Sequence, residues 1–386
     1  MEVERGGERH RVEAGVEFFT GPMFPTFSRL LGLLGMAVRA YPITITLHHA
    51  GTGDAALLPP VRGGRGWSSL LRPRRLADLL QFQRVQHHAA RLVEAQDPSR
   101  TVEDLVSGVT LTTSFRDGFL YPLLLGLWDV ELDELKRFAA YNVFKYFVVG
   151  RVASRWTEVV GGVGAYVDAL ARGLTRTEVR RSTRVARIAR EHDRYVVWDA
   201  DGHAGVFDHL VVATNAVEAG RLLAEVKGAE DRCRDLREIE YFRTTIAVHG
   251  DRRVMPARER HWSVVNIRYD GAYSANTVWR SRPGRTPVFR SWTTHQTSPL
   301  EPHYLTRIYD HPKPTPRYFR AQRALAARQG EHRLWLAGLY THDIDCHESA
   351  IVSAVNLARR LDPDAPHLVR LAGARAGQNP ATAERS

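Results

Sequence analysis

The sequence holds only two cysteines, Cys233 and Cys346, far apart and with no disulfide framework or zinc spacing around them. Their scarcity excludes a disulfide-stapled scaffold and makes a reducing, cytoplasmic compartment the expectation. Lysine is nearly as scarce. Lys136, Lys145, Lys227 and Lys313 stand alone, so the formal charge of +11 comes from arginines scattered along the chain. Scattered arginine lacks the clustering and aromatic interleaving of a nucleic-acid face, and no nucleic-acid partner is expected. No apolar run approaches the ~18 residues that a bilayer span needs, and no cationic leader precedes an apolar core. Also missing is a strand followed by a full G-x-G-x-x-G, the turn that brings backbone amides to a pyrophosphate.

What is there is ordinary for a globular protein. The 386 residues are 44% apolar and 25% charged, enough for one large domain or two interleaved ones. Glu2 to Glu8 and Arg11 to Phe19 read as two short strands about a glycine turn. Phe27, Leu30, Leu31 and Leu34 recur at helical spacing behind Pro25, and "ITITLHH" reads as a strand. Leu76 to Glu94 forms a long amphipathic helix with Leu76, Leu79, Leu80 and Val85 on its apolar face. It packs on a core, with peripheral membrane contact as the lesser alternative. Thr101 and Asp104 open a short capped helix, and "FRDGFLYPLLLGLWDV" is helical in part, interrupted at Pro122. "STRVARIAR" and "RYVVWDA" are strands joined by the charged turn "EHD", and "VFDHLVVATNA" is a buried strand ending at Thr214. A helix over Pro316 to Gly330 precedes the apolar run "LWLAG" and a helix starting near Glu348. The small, polar residues 371–386 are expected to be a disordered tail.

Several constellations could carry chemistry. "EVVGGVGAYVDAL" offers Gly162 and Gly164 as G-x-G, but Val167 stands where the third glycine belongs. Arg180, Arg181 and Arg184 follow where an acidic ribose ligand is required, and such a turn equally serves to let a helix pack closely on a strand. The densest titratable run is His342, Asp343, Asp345, His347 and Glu348. No H-x-x-x-H spacing supports a metal there, and none is expected. His347 is the candidate catalytic residue, a general base near neutral pH; the alternative is that His347 and Glu348 cap and orient the helix. No G-x-S-x-G elbow is present, and His249 and Asp251 read as structural. Trp262, Tyr269, Tyr273, Trp279 and Trp292 form either core or cavity wall.

Five segments carry a resemblance: "VEAGVEFFTGPMFPTFSRLLGLLG", "WTEVVGGVGAYVDAL", "FDHLVVATN", "HGDRRVMP", and "HPKPTPRYFRAQRALAARQGEHRLWLAGLYTHDIDCHES". In order and spacing, from Val12 to Leu361, they resemble the flavin-dependent amine oxidase superfamily, nearest to a bacterial branch of predicted NAD/FAD-binding oxidoreductases. The matching family patterns are V-D-T-G-F-x-V-F-N with Y-P-x-F-x-x-L-L-x-x-L-G, W-x-T-V-x-G-G-S-x-x-Y-V-x-x-L, D-x-V-V-x-A-T, H-x-D-x-x-x-M-P, and H-P…A-Q…G…A-G…H-E-D-G. Departures fall at Val163, where serine is common, and at Ser349 and Ala350, which replace the aspartate and glycine after the H-E pair.

The resemblance implies an α/β fold: a Rossmann-like FAD/NAD(P)-binding sheet with an interleaved α+β substrate domain. In the family, the G-x-G-x-x-G turn and its flanking strands precede the segment that here begins at Met1, so the sheet is expected to lack its N-terminal βαβ unit. Residues 1–20, 153–223 and 331–370 would form a discontinuous, incomplete FAD-binding domain, and 21–152 with 224–330 the substrate domain. FAD is the implied cofactor. Val185 would meet the adenine, Ala213 and Thr214 the adenosine, and Gly338 the pyrophosphate. The helix opening at Glu348, Ser349, Ala350 and Ile351 would face the flavin ring. The implied activity is hydride transfer from an amine or apolar small molecule to flavin, with a flavin-free remnant acting in binding or interaction as the alternative. The oligomeric state is left open.

Overall fold

A computed structural model describes residues 2–5, 7–15, 17–41, 43–58, 73–149, 156–280 and 286–372. The chain divides into two compact units and passes between them repeatedly, as interleaved domains require: Met1–Thr20, Arg39–Glu158 and Tyr241–Pro316 form the first, and Gly21–Val38, Val159–Glu240 and Arg317–Ser386 the second. These boundaries differ from the expected division. The first twenty residues belong to the unit that holds the large sheet, and Gly21–Val38 to the other.

The first unit is built on a seven-stranded sheet. From edge to edge its strands are His303–Pro312, Tyr241–His249, Phe289–Trp292, Ser274–Trp279, Val265–Tyr269, Ile45–His49 and Ala55–Leu58. All neighbours are antiparallel except Val265–Tyr269 with Ile45–His49, which run parallel. A parallel join needs a long crossover, and the chain between these two strands supplies the helices that cover the sheet. Val85, Leu120, Leu124 and Phe144 on those helices are fully buried together with Ile267 of the sheet.

Here local expectation and structure part in several places. The long helix spans Pro73–Glu94, but its buried face is Asp78, Gln81, Phe82, Val85, Ala89 and Val93. Leu76 and Leu80 are 56% and 51% exposed. The stripe is rotated because Gln81 turns inward to accept the Thr112 amide at 2.7 Å. Pro122 does not interrupt its helix. It has no N–H for the Gly118 carbonyl, and the chain widens into a π-turn, Arg116–Leu120, that runs straight into the helix Tyr121–Trp128. His49 Nε2 donates to the freed Gly118 carbonyl at 2.9 Å. The N-terminal strands are shorter than expected, Glu2–Arg5 pairing with Glu8–Arg11, while Phe19–Thr20 pairs separately with Trp156 and Thr157. The aromatic group divides: Trp262 and Trp279 pack edge to face at 5.1 Å beside a buried cluster around Phe289, whereas Tyr273 stacks on His295 and Trp292 on His311.

Among the described residues, the second unit carries two small sheets. Val185–Glu191 and Arg194–Asp199 form a hairpin whose turn residues, His192 and Asp193, have φ of 47° and 62°, the conformation a two-residue hairpin turn prefers. Ala204–Phe207 adds the third, antiparallel strand. The expected single buried strand through Thr214 is therefore broken: Leu210–Val212 leaves that sheet and pairs in parallel with Leu334–Leu336. Nor is it buried throughout, since Phe207 is 50% and Val211 43% exposed. On its other side, Leu336 is held by the Gln329 side chain, which donates to its carbonyl at 2.7 Å and accepts its amide at 2.9 Å. That amide substitutes for a neighbouring strand. A last helix, Pro366–Ala372, includes the first two residues of the expected tail, and the rest of the tail lies outside the described residues. Among the described residues no helix is long and apolar enough to cross a membrane.

Candidate functional site

The parallel pair of the second unit sets the geometry of the candidate site. Leu210 stands opposite Leu334, and Val212 opposite Leu336. The Ala337 amide then donates to the Val212 carbonyl at 3.0 Å, which carries the chain end beyond Leu336 alongside Ala213 and Thr214. Gly338 follows with φ of 145°, a backbone conformation that a side chain strains. A Cβ built there would sit 2.9 Å from the Tyr340 ring and 3.8 Å from the Thr214 carbonyl oxygen. Glycine is thus required by the backbone and by the close approach of the Tyr340 ring, with the exposed residues Ala213 and Thr214 alongside.

The turn after Gly338 is tied down. Its carbonyl accepts from the Thr341 amide at 3.0 Å and the Thr341 hydroxyl at 2.8 Å. Its amide donates to Ser353 Oγ at 2.9 Å, and that hydroxyl donates to the Ala350 carbonyl. Gly338 is therefore locked to the helix His347–Leu361, whose N-terminus opens next to it in sequence. The first turn of a helix carries free amides and partial positive charge, which favours an anion or a developing negative charge nearby.

The residues of that first turn have individual partners. Both carboxylate oxygens of Glu348 are occupied, accepting the Thr26 amide at 2.7 Å and the Phe27 amide at 2.9 Å. Glu348 is thus the N-terminal cap of the helix Pro25–Leu33, which has no cap of its own. Its side chain is turned to that helix. Ser349 is buried with its hydroxyl 3.3 Å from Cys346 Sγ, and burial pushes the Cys346 thiol up to about 11. The thiol is consequently protonated and inert. Ala350 and Ile351 are partly buried.

His347 Nε2 lies 2.9 Å from the Tyr166 hydroxyl, and its ring meets Phe27 edge-on at 4.8 Å. Burial lowers its pKa, so the imidazole is neutral near pH 7. Tyr166 comes from the helix Val163–Gly173, placed by Gly161 and Gly162 at φ of 92° and 80°. The adjacent pair Gly161–Gly162, not the G-x-G of Gly162 and Gly164, thus positions a tyrosine on His347. Tyr166 and Ser353 had no individual signal in the sequence, although Tyr166 lies inside a quoted segment, and Phe27 was legible only as part of an apolar helical spacing. Val185 opens the separate antiparallel sheet, opposite Asp199, and does not share the parallel pair with the other expected residues.

Outside this group, His249 is fully buried in the first unit. Its Nδ1 accepts the Asp251 amide at 3.0 Å, so the proton sits on Nε2, which faces Ser291 Oγ at 2.7 Å. Burial lowers its pKa to about 4. Among the described residues, Asp199, Asp201 and His203 bring ligand-type atoms within 4.8 Å of one another on a hairpin turn. Asp199 Oδ1 accepts the amides of Asp201 at 3.0 Å and His203 at 2.9 Å, which accounts for the turn.

No curated relative matches the chain. Among solved structures, the fold is similar to the CLA-producing fatty acid isomerase from P. acnes, with a TM-score of 0.64 and 12% identity, covering 94% of this chain and 89% of that one. It is also similar to cyclohexylamine oxidase from Brevibacterium oxydans IH-35A, with a TM-score of 0.62 and 14% identity over 91% and 88% of the two chains. At such identities the likeness speaks for the α/β fold. The family described as flavin containing amine oxidoreductase matches residues 2–301, which is most of the sequence; the chain belongs to that family, whose cofactor is FAD.

Proposed function

We propose that this flavin oxidoreductase takes hydride from an amine or an apolar small molecule, and that the Gly338 turn forms one side of its dinucleotide site. The observation that carries this reading is the parallel register of Leu210–Val212 with Leu334–Leu336, which sets Gly338 beside the Thr214 carbonyl and starts a helix just beyond. The residues present fit one wall of a dinucleotide. Gly338 and Thr214 would border its pyrophosphate and adenosine, and the first-turn amide of Ser349, ahead of Ala350 whose amide is already given to the Cys346 carbonyl, would support the ring edge where negative charge develops. When bound, FAD supplies the two-electron chemistry. The opposite wall of such a site needs a glycine-rich turn.

His347 serves this site best as an orienting residue. Its Nε2 is taken by Tyr166 and its ring by Phe27, so the expected role as general base requires that contact to open. Glu348 supports the site through the Pro25–Leu33 helix instead of touching the cofactor. The second reading is a flavin-free binding protein on the same scaffold, favoured by the lack of a full G-x-G-x-x-G in the sequence. Flavin content separates the two. The protein should be expressed from its natural locus, with the reading frame upstream of Met1 inspected for a glycine-rich turn, and its flavin released and measured beside a Gly338→Val variant. A yellow protein that loses at least about tenfold of its flavin on that substitution supports the oxidoreductase. A colourless protein that ignores added FAD supports the other reading.

A further inference from the structure

The first unit contains a cavity of about 420 Å³ between its helices, within the range of small-molecule sites. Its apolar lining comes from Val106, Val109, Leu111 and Leu132, and its polar rim from two ion pairs. Arg116 is bound by its neighbour Asp117, and Lys136 Nζ lies 3.3 Å from Glu103. The walls are fixed by local devices. Thr101 and Asp104 form a capping box on the helix that presents Glu103 and Val106, and the π-turn presents Arg116 and Asp117. Single π-turns recur at functional sites because they redirect side chains out of the helical register. This one is stabilised from outside by His49 on the Gly118 carbonyl.

A count of donors and acceptors on the rim shows what is missing. Glu103 is well supplied: Oε2 takes Lys136 and the Tyr121 hydroxyl, and Oε1 faces Ser107. Asp117 receives both Nε and Nη2 of Arg116, at 2.7 and 2.9 Å. The cations are not matched in the same way. Arg116 has five N–H donors and Lys136 three; these contacts leave uncommitted both Nη1 hydrogens and one Nη2 hydrogen of Arg116, and two hydrogens of Lys136, whose Nζ also stands 5.8 Å from the centre of the Tyr121 ring. Although the rim is neutral in formal charge, its surplus is in donors.

We infer that this cavity binds a small amphiphilic anion, with its charged head on Arg116 and Lys136 and its apolar body on Val109, Leu111 and Leu132. A medium-chain or aryl monocarboxylate has the right chemistry, since charge-assisted N–H···O contacts reward an anionic head over a neutral one. The site is separate in the chain from the Gly338 turn, and the inference does not rest on the proposed redox chemistry.

Titration calorimetry on the full protein with octanoate, octanamide and octylamine tests it. Octanoate should bind saturably, at least about tenfold more tightly than either of the others, as a charge-assisted bond implies. Arg116→Gln and Lys136→Met should each weaken octanoate by about tenfold and leave octanamide unaffected. These two side chains are on the rim, so the variants should fold. Leu111→Trp, checked by circular dichroism, should exclude all three ligands. Octanoate binding that equals octanamide binding, or that survives both rim substitutions, or that never saturates, overturns the inference.

Discussion

The two units build their sheets on different terms. The first closes seven mostly antiparallel strands under a cover of helices, and fully buried side chains such as Val85, Leu124 and Ile267 join helix to sheet. The second has, among the described residues, a hairpin-based sheet and a parallel pair of two strands. Among the described residues, the large apolar side chains that remain exposed lie in the second unit, apart from Leu76, Leu80 and Ile308. An antiparallel sheet can rest on one covered face, but a parallel sheet is normally buried on both. The part of the molecule that is least covered is therefore the part that carries the Gly338 turn.

The largest expected effect tests the buried polar groups of the first unit against acid. His48 and His249 are both held near a pKa of about 4 by burial, against an ordinary 6.5. Their folded values are depressed, so the unfolded chain takes up protons first as pH falls below 6.5. Stability is then present above that value and is lost between pH 6.5 and about 4. Each histidine accounts for up to roughly 3 kcal/mol of that loss. Hydrogen exchange at the Ile45–His49 and Tyr241–His249 strands should weaken across this window, and His249→Asn should flatten the fall at the second strand. The His347 shift runs in the same direction, so the second unit should also weaken in acid.

A somewhat smaller effect is expected at Glu348. Its replacement by alanine removes two buried, charge-assisted hydrogen bonds and strips the cap from Pro25–Leu33, at a cost of about 3 kcal/mol. The loss should appear as faster exchange in that helix and in His347–Leu361, while the seven-stranded sheet keeps its protection. The smallest effect is at Gln329. Gln329→Ala should cost about 1 kcal/mol and expose the Leu336 amide to exchange. If a further strand completes the parallel sheet on the Leu210–Val212 side, that loss should stay confined to Leu334–Leu336.

Much of the local structure was legible in the sequence. The capping box at Thr101, the "EHD" hairpin turn and the paired glycines before Val163 each depend on neighbours in sequence, and each is found where the pattern places it. Contacts over long separations were not legible. The inward face of Pro73–Glu94 depends on Thr112 seeking Gln81, so apolar spacing alone selected Leu76 and Leu80 wrongly. Pro122 reads as a break until the π-turn and His49 resolve its lost hydrogen bond. In the candidate site, Gly338 lies beside the Thr214 carbonyl, while the carboxylate of Glu348 is turned to a helix 322 residues earlier in the chain.

By itself, then, the order of residues determined the local caps, hairpin turns and several of the helices, because caps, glycines and hydrophobic spacing act over a few residues. Only the tertiary structure decided which groups those elements offer to a ligand. A side chain such as Glu348 or Gln329 can satisfy a buried amide from across the chain, and a buried hydrogen bond left unmade is too costly to ignore.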